Sequence, residues 1–406
     1  MIRAAAALAT GLLASAPTLA GPPVPAPGNA VLNRIHPEVD PKGVPLGAGW
    51  RLFPDLEVVE RYDDNIFSDP EIERADAITL VRPSLSLLGD FQAGSVEAEA
   101  YGDLEFYADN PGENVQDFGA LARFESRSER RHSIALTAAF DRRAEDRGDP
   151  EEAEVASRSQ ADILRGEALY RYRGGVLRGE LLTEVRRLSF LRAADQDRDR
   201  VAFRVAPRLG VALGSGLRLF AGPSYEQIRF EQDIDDLGFN RDREETGGSL
   251  IARLDGGGLY RAELLVGARH VANDDPAFED FTLVESRATV DWLPSNLTAV
   301  TLVGERVTRS TTQAASSARI DSSVSLLIAH ELRRTLLITP SARYTRQAFQ
   351  GIARDDDLVE AGVTLDYRLN RNVGLVFDYL FTRRESTLAA ESFSRHRVTL
   401  GLRLSL

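Results

Sequence analysis

The stretch RVTLGLRLSL, residues 397–406, places an apolar side chain at every second position. Its apolar members are Val398, Leu400, Leu402, Leu404 and Leu406. Successive side chains of a strand point to opposite faces, so this period of two predicts a β-strand with one apolar face and one polar face. A helix would require apolar residues at both three- and four-residue spacings over a longer stretch.

The same alternation recurs along the chain in long segments separated by turn residues. The segments start near Arg51, Asp76, Gly94, Val115, Arg131, Ser157, Gly175, Arg198, Gly216, Glu245, Gly258, Glu279, Asn296, Ala318, Arg333, Asp357, Asn372 and Glu391. They predict a single all-β domain over residues 50–406, with about 18 antiparallel strands (roughly 16–18).

The connections between these segments alternate in length. Tight turns such as 214–216 and 255–258 alternate with longer polar stretches such as 146–156 and 232–244. Short turns on one side and long loops on the other are typical of outer-membrane barrels. We therefore predict an integral, up-and-down transmembrane β-barrel in the bacterial outer membrane, with both termini in the periplasm. A soluble β-sandwich would have shorter strands and a far less charged inner face.

The N-terminus predicts export from the cytoplasm. Residues 1–20 combine Arg3, an alanine- and leucine-rich run and small residues before Gly21, which is typical of a secretory signal peptide. Residues 21–49 are rich in proline and predict a periplasmic linker.

Composition excludes several classes of function. The sequence has no cysteine, which rules out disulfides and thiolate metal sites, and its formal net charge of -13 argues against a nucleic-acid partner. It has no phosphate-binding glycine loop, no histidine pair at metal spacing and no nucleophile elbow. We expect no enzyme, no cofactor and no metal centre. Outer-membrane lipids and lipopolysaccharide are the expected surroundings.

The polar face of the strands is strongly charged, and charge that faced lipid would be costly. The residues predicted to line the lumen are Glu97, Glu99, Asp103, Arg165, Arg171, Arg178, Glu180, Arg186, Arg204, Arg208, Arg218, Arg261, Glu263, Arg287, Asp366 and Arg403. Opposite charges often lie two residues apart on one strand, as in Arg178 and Glu180 or Arg261 and Glu263. We favour mutually neutralising wall pairs, and a polar track for a sugar-like or anionic solute is the alternative.

The stretch ERYDDNIFSD, residues 60–69, resembles a catalytic or metal site at first sight. Asp and Asn also bond their own backbone and stop strands, so we interpret Tyr62, Asp63, Asp64 and Asn65 as the entry to the first outward hairpin. Tyr62 or Phe67 would then lie in the interfacial aromatic girdle. The loop acids Asp63-Asp64, Asp233, Asp235-Asp236, Asp274-Asp275 and Asp355-Asp356-Asp357 are interpreted as solvated, with divalent-cation binding as the alternative.

Three further stretches carry a resemblance. LGAGWRLFPDLE at residues 46–57, YDDNIF at 62–67 and VRPSL at 81–85 resemble the outer-membrane β-barrel porin family of proteobacteria. The specific match covers roughly residues 44–87, and the rest agrees in strand rhythm. The resemblance implies a barrel in the setting of exopolysaccharide synthesis and export, and it supplies no catalytic residues.

These observations leave three functional hypotheses. The leading one is a channel for exopolysaccharide secretion, which would work with periplasmic polysaccharide-export components. The second is a general or solute-selective diffusion porin, and the third is a structural or adhesive surface barrel. Conductance in planar bilayers separates an open porin, which should conduct steadily, from a secretion barrel that is plugged until its partner docks. An adhesive barrel should show neither conductance nor an export phenotype.

Overall fold

The computed structural model describes residues 31, 36, 40–126, 131–151 and 158–406. The expected signal peptide, residues 1–20, lies outside these residues, as does most of the expected linker. Within them, no helix is long and apolar enough to cross a membrane.

Long alternating segments form long strands, as their period predicts. The strands of the described residues are β1 (Val44–Gly47), β2 (Trp50–Asp63), β3 (Asp76–Asp90), β4 (Gly94–Tyr107), β5 (Val115–Ser126), β6 (His132–Ala144), β7 (Gln160–Gly174), β8 (Leu177–Phe190), β9 (Arg200–Leu213), β10 (Leu217–Phe230), β11 (Arg243–Asp255), β12 (Tyr260–Asn273), β13 (Phe281–Ser295), β14 (Thr298–Arg309), β15 (Arg319–Arg333), β16 (Leu336–Phe349), β17 (Asp355–Arg368), β18 (Val373–Ser386) and β19 (Phe393–Ser405). Short 3₁₀ turns occupy Pro111–Glu113, Ala193–Arg198 and Ala389–Glu391.

The strands close into a barrel. Each strand from β2 to β18 pairs antiparallel with the next, and β19 pairs with β2. Hydrocarbon cannot satisfy unpaired backbone groups, so a sheet that crosses it must close in this way. The prediction of about 18 strands is confirmed, and β1 adds one extra short strand paired with β2. The largest errors in strand starts are at Gln160 and Leu336, which we predicted near Ser157 and Arg333.

Contacts across the sheet identify its two faces. Arg253 of β11 forms an ion pair with Glu180 of β8, although these strands are not neighbours in the sheet. Side chains on non-adjacent strands can meet only across the interior, so the face that carries both residues is the inner one. The opposite face carries large, exposed apolar residues such as Leu209 (74% exposed) and Leu250 (68%). The apolar face therefore points to lipid, and the charged face encloses the interior.

The barrel has two different ends. Residues 64–75 and 231–242 are among the connections at one end, which we call the long-loop end. Residues 175–176 and 296–297 are among those at the other, which we call the short-turn end. The predicted alternation of long and short connections is present.

Residues of the expected linker touch the barrel at the short-turn end. The Asp40 carboxylate accepts a hydrogen bond from Arg368 of β17, and His36 Nε2 lies 3.0 Å from the Glu331 carboxylate of β15. Val31 is buried against interior residues of β13 to β16, among them Ala329. These contacts place part of the N-terminal region inside the mouth of the barrel.

Candidate channel constriction

Residues 145–151, which we call the inward segment, follow β6 and leave the wall of the barrel. Asp146 Oδ1 accepts a hydrogen bond of 3.0 Å from Arg395 Nη1 of β19, and Arg397 Nη1 lies 3.9 Å from the other oxygen. The Gly148 carbonyl accepts a hydrogen bond from Arg384 of β18. Strands β2 to β5 separate β6 from β19 in the sheet, so these contacts cross the interior.

The far end of the inward segment reaches the opposite side of the barrel. Glu151 accepts the backbone N–H of Thr312 at 2.9 Å and forms an ion pair of 3.4 Å with Arg319 of β15. The Pro150 carbonyl accepts a hydrogen bond of 2.5 Å from Gln313 Nε2. Since β15 lies opposite β6 in the closed sheet, the segment spans the interior at the long-loop end.

One flank of the inward segment is packed against neighbouring loops. Arg147 forms an ion pair of 2.6 Å with Glu113, and both side chains are buried. The Arg147 guanidinium also lies 5.7 Å from the centre of the Phe67 ring. At Gly148, an added Cβ would come within 2.9 Å of the Phe393 ring, so glycine permits this close approach. The interior is therefore filled between the segment and the first loop.

Two acids of the inward segment have shifted pKa values. Burial raises the pKa of Glu145 to about 7, with Asp149 and Asp195 adding to the shift, although Arg198 Nη1 donates to this carboxylate at 2.9 Å and opposes it. Desolvation inside the barrel also raises the pKa of Asp146, but Arg395 and its neighbouring arginines outweigh it and hold that pKa well below its usual range.

The stretch 60–69 helps to support this arrangement. Asp63 is fully buried at the end of β2, and its carboxylate accepts hydrogen bonds from Arg395 Nε (2.8 Å) and Nη2 (2.6 Å). Asn65, also fully buried, donates from Nδ2 to the Ser394 carbonyl at 3.1 Å. Asp64 accepts the backbone N–H of His396 at 2.7 Å. The stretch thus joins β2 to β19, the pair that closes the barrel.

The aromatic residues of this stretch point to different sides. Tyr62 is 54% exposed on the lipid side, as a girdle residue would be. Phe67 instead packs against the buried cluster that contains Ile66 and Ile78.

The interpretation of the loop acids as solvated is wrong for three of them. Asp63, Asp235 and Asp356 are buried and pair with Arg395, Arg241 and Arg354 respectively. Each carboxylate meets an arginine whose planar fork fits it, and this pairing offsets the cost of burial. Across the described part of the chain, no group of three or more His, Asp or Glu residues could hold a metal ion.

The register places all the predicted lumen residues from Glu97 to Arg403 on the interior face. Opposite charges two residues apart on one strand do pair at Arg243–Glu245 (2.9 Å) and Arg319–Asp321 (2.8 Å), but Arg178 and Glu180 have other partners. Glu180 pairs with Arg253 and lies 3.7 Å from Arg208, while Arg178 donates to the carbonyls of its own turn. Arg208 faces Glu180 directly on the neighbouring strand, and the long Arg253 side chain reaches Glu180 from a strand that is not adjacent.

Interior charge is segregated around the wall. On β2 to β5 the acids outnumber the arginines, and we call this the acidic sector. Its interior charges are Asp55, Glu57, Asp63, Asp76, Asp90, Glu97, Glu99, Asp103, Glu105, Asp117 and Glu125 against Arg51, Arg61, Arg82 and Arg123. On β7 to β10 the balance is reversed, and we call this the basic sector. Its interior charges are Arg165, Arg171, Arg173, Arg178, Arg186, Arg200, Arg204, Arg208 and Arg218 against Glu167, Glu180, Glu184 and Glu226.

Reasoning from sequence missed the inward segment. Residues 146–156 looked like one more polar outer loop, because Asp146, Arg147 and Glu151 are ordinary loop residues. Their partners Arg395, Glu113 and Arg319 lie far away in sequence, and periodicity carries no signal for such pairing.

Comparisons with known proteins agree with a porin-like barrel. A family model described as "Putative beta-barrel porin 2" matches residues 36–406. A search of curated proteins found no match.

Similar solved structures include OpdL from Pseudomonas aeruginosa, which is 13% identical, with 89% of this chain and 100% of that chain covered and a TM-score of 0.45. OccK1 (OpdK) from the same species is 11% identical, with 87% and 99% covered and a TM-score of 0.46. The FrpB iron transporter from Neisseria meningitidis is 10% identical, with 90% and 82% covered and a TM-score of 0.47.

Proposed function

Since this chain belongs to the beta-barrel porin 2 family, we propose that it is an outer-membrane diffusion channel for small hydrated solutes. The observation that carries this proposal is the inward segment, which joins Asp146 to β19 and Glu151 to β15 across the interior. Side chains alone cannot fill a barrel of 18 strands. The width of the channel is therefore set by the segments that fold into the barrel, above all the inward segment.

The inward segment favours small solutes over polymers. A threaded polysaccharide would have to displace the segment, which breaks its contacts to β19 and β15 together with the buried pair of Arg147 and Glu113. Separating one buried pair of this kind costs about 3–5 kcal/mol. Export of exopolysaccharide rests on the resemblance of residues 44–87 and remains a prediction, as does an adhesive role.

The two charged sectors suggest how the channel would select solutes. Acids and arginines occupy different parts of the same wall, so the interior field runs across the channel. A solute with separated positive and negative ends would be oriented in this field. We propose weak discrimination between simple cations and anions together with better passage of dipolar solutes.

The orientation of the barrel in the membrane is also a proposal. Short turns face the periplasm in outer-membrane barrels. We infer that the short-turn end, where Asp40 meets Arg368, lies in the periplasm and that the inward segment is reached from outside the cell.

Planar-bilayer recordings test the function. The wild-type barrel should conduct steadily, and the double variant Asp146→Ala/Glu151→Ala, which removes the carboxylate contacts at both ends of the inward segment, should conduct more. Liposome swelling with sugars of increasing size should show a larger size limit in the same variant.

Glu385→Ala provides the matched control, because Glu385 forms an exposed pair with Arg383 outside the channel. This variant should behave like the wild type. A folded wild-type barrel that neither conducts nor admits sugars would rule out the proposal.

A further inference from the structure

Arg395 connects the wall of the barrel to the inward segment. Its guanidinium offers one edge, Nε and Nη2, to Asp63 at 2.8 and 2.6 Å. The remaining nitrogen, Nη1, donates to Asp146 at 3.0 Å. Asp63 belongs to β2, Arg395 to β19 and Asp146 to the inward segment, so a single arginine joins three parts of the chain.

Asp63 is itself held in place. Its Oδ1 accepts the backbone N–H of Asn65 at 3.1 Å, and the side chain is fully buried. Asn65 is fixed in turn by bonds to the Asp69 and Ser394 carbonyls. The carboxylate therefore has a defined direction before it meets the arginine.

A two-point bond of this kind orients an arginine. The long arginine side chain has many rotamers, and a carboxylate that grips Nε and Nη2 together fixes the plane of the guanidinium. With that plane fixed, Nη1 points to one place in the interior, which Asp146 occupies. Asp146 remains half exposed there. The Gly148 N–H donates to the same Oδ1 at 2.9 Å within the segment, and the bond from Arg395 is what ties this carboxylate to the wall.

We propose that Asp63 is a positioning residue for the channel: by orienting Arg395 it sets where Asp146 lies, and thereby how far the inward segment narrows the interior. This inference rests on the proposed function, because it concerns the same constriction. The sequence stretch that looked like a catalytic pair would then control channel width through an arginine 332 residues away.

The chain supplies a matched control in the next residue. Asp64 lies at the same end of β2 but accepts the backbone N–H of His396. Asp63→Asn keeps the size of the side chain and removes the charge that holds Arg395, and Asp64→Asn makes the same chemical change beside it. Asp63→Glu keeps the charge, so its conductance and its thiol access should stay closer to the wild-type values than those of Asp63→Asn.

The absence of cysteine in the natural sequence permits a readout that does not depend on conduction. A single thiol at Asp149→Cys reports access of a small water-soluble thiol reagent to the inward segment. We expect Asp63→Asn to raise its modification rate roughly tenfold or more, because a buried pair has been broken. Channel conductance should rise in parallel. Asp64→Asn should change neither measurement, because the asparagine Oδ1 can still accept the His396 N–H.

A second thiol distinguishes a specific effect of Asp63 on the inward segment from a general loss of packing in the first loop. Ile66→Cys reports on the first loop, where Ile66 is buried. Its modification rate should stay at the wild-type value in the Asp63→Asn barrel. A matching rise at Ile66→Cys would mean that Asp63 merely holds the first loop, and would overturn the inference.

Failure of this inference can be told apart from failure of the proposed function. If Asp146→Ala/Glu151→Ala raises conductance while folded Asp63→Asn matches the wild type in conductance and thiol access, the function stands and the positioning role falls. If Asp63→Asn does not fold, Arg395→Lys takes its place, because lysine keeps the charge but cannot grip both carboxylates. Unchanged thiol access and conductance in folded Arg395→Lys would also overturn the inference.

Discussion

The two ends of the barrel are held together in different ways. At the short-turn end, most connections close through bonds between residues close in sequence, such as Gly256 N–H to the Tyr260 carbonyl at 2.9 Å. At the long-loop end, buried arginines join elements far apart in sequence, such as Arg395 to Asp63 and Arg241 to the Ser316 carbonyl. The first end is built by local backbone geometry and the second by charge pairing. The second is where the barrel narrows.

Arg395→Ala should have the largest effect on this comparison. It leaves the fully buried Asp63 without its cation and frees Asp146, so we expect a loss of about 3–5 kcal/mol in the free energy of unfolding and a higher conductance. Arg178→Ala at the short-turn end is the counterpart, because Arg178 donates to turn carbonyls in an exposed position. It should cost less than about 1 kcal/mol. Denaturant titration of the folded band on gels measures both, and equal losses would contradict the comparison.

Arg241→Met should have the next largest effect. Arg241 is buried, and its guanidinium lies 5.3 and 5.1 Å from the centres of the Phe239 and Phe278 rings, which stack on each other. It ties the loop after β10 to the loop after β14. Its loss should expose a thiol placed at Ser316, which is fully buried, to a small reagent. We expect about 3 kcal/mol of destabilisation, because Asp235 is left buried and uncompensated. An unchanged rate at Ser316→Cys would show that the loops are held by packing alone.

Arg368→Gln tests a long-range ion pair at the short-turn end. It removes the charged partner of Asp40 but leaves His36 beside Glu331 and Val31 in its apolar contacts. Since the glutamine amide can still donate a hydrogen bond to the buried Asp40 and the other two contacts remain, we expect a destabilisation of about 1 kcal/mol and a small rise in conductance. A change as large as that of Arg395→Ala would mean that this mouth also depends on charge pairing.

The contrast between local bonds at the short-turn end and long-range charge pairs at the long-loop end also explains which features could be predicted from the sequence. Alternation is local, so Val398, Leu400 and their counterparts revealed the strands, the lipid face and the charged interior. Pairing between distant residues has no period, so the bond from Asp146 to Arg395 could not be predicted. The partners of individual wall charges could not be predicted either, because Glu180 pairs with Arg253 of β11 and not with Arg178 on its own strand. What narrows the channel is the part that depends on long-range contacts.

A change of pH should alter the stability of the long-loop end through Glu145. We expect this effect to be smaller than those of the three substitutions above. Its pKa is raised to about 7, mainly by burial, from an ordinary value of 4.5. The folded chain therefore binds this proton more tightly than the unfolded chain does. The resulting stability is fully present below pH 4.5 and is lost as the pH rises through about 7.

The protonation of Glu145 should also change how the inward segment is held. Above pH 7 the ionised Glu145 carboxylate forms an ion pair with Arg198. Below pH 7 the protonated carboxyl accepts only a weaker hydrogen bond from the same guanidinium. We expect conductance to drift upward as the pH falls from 8 to 6, while the unfolding temperature rises. Glu145→Gln should remove this part of both pH profiles, and Glu385→Gln at the exposed rim should leave them intact. If conductance and unfolding temperature depend on pH in the same way in the wild type and in Glu145→Gln, the ion pair with Arg198 does not position the inward segment. Arg395 and Arg319 would then be the residues that hold it.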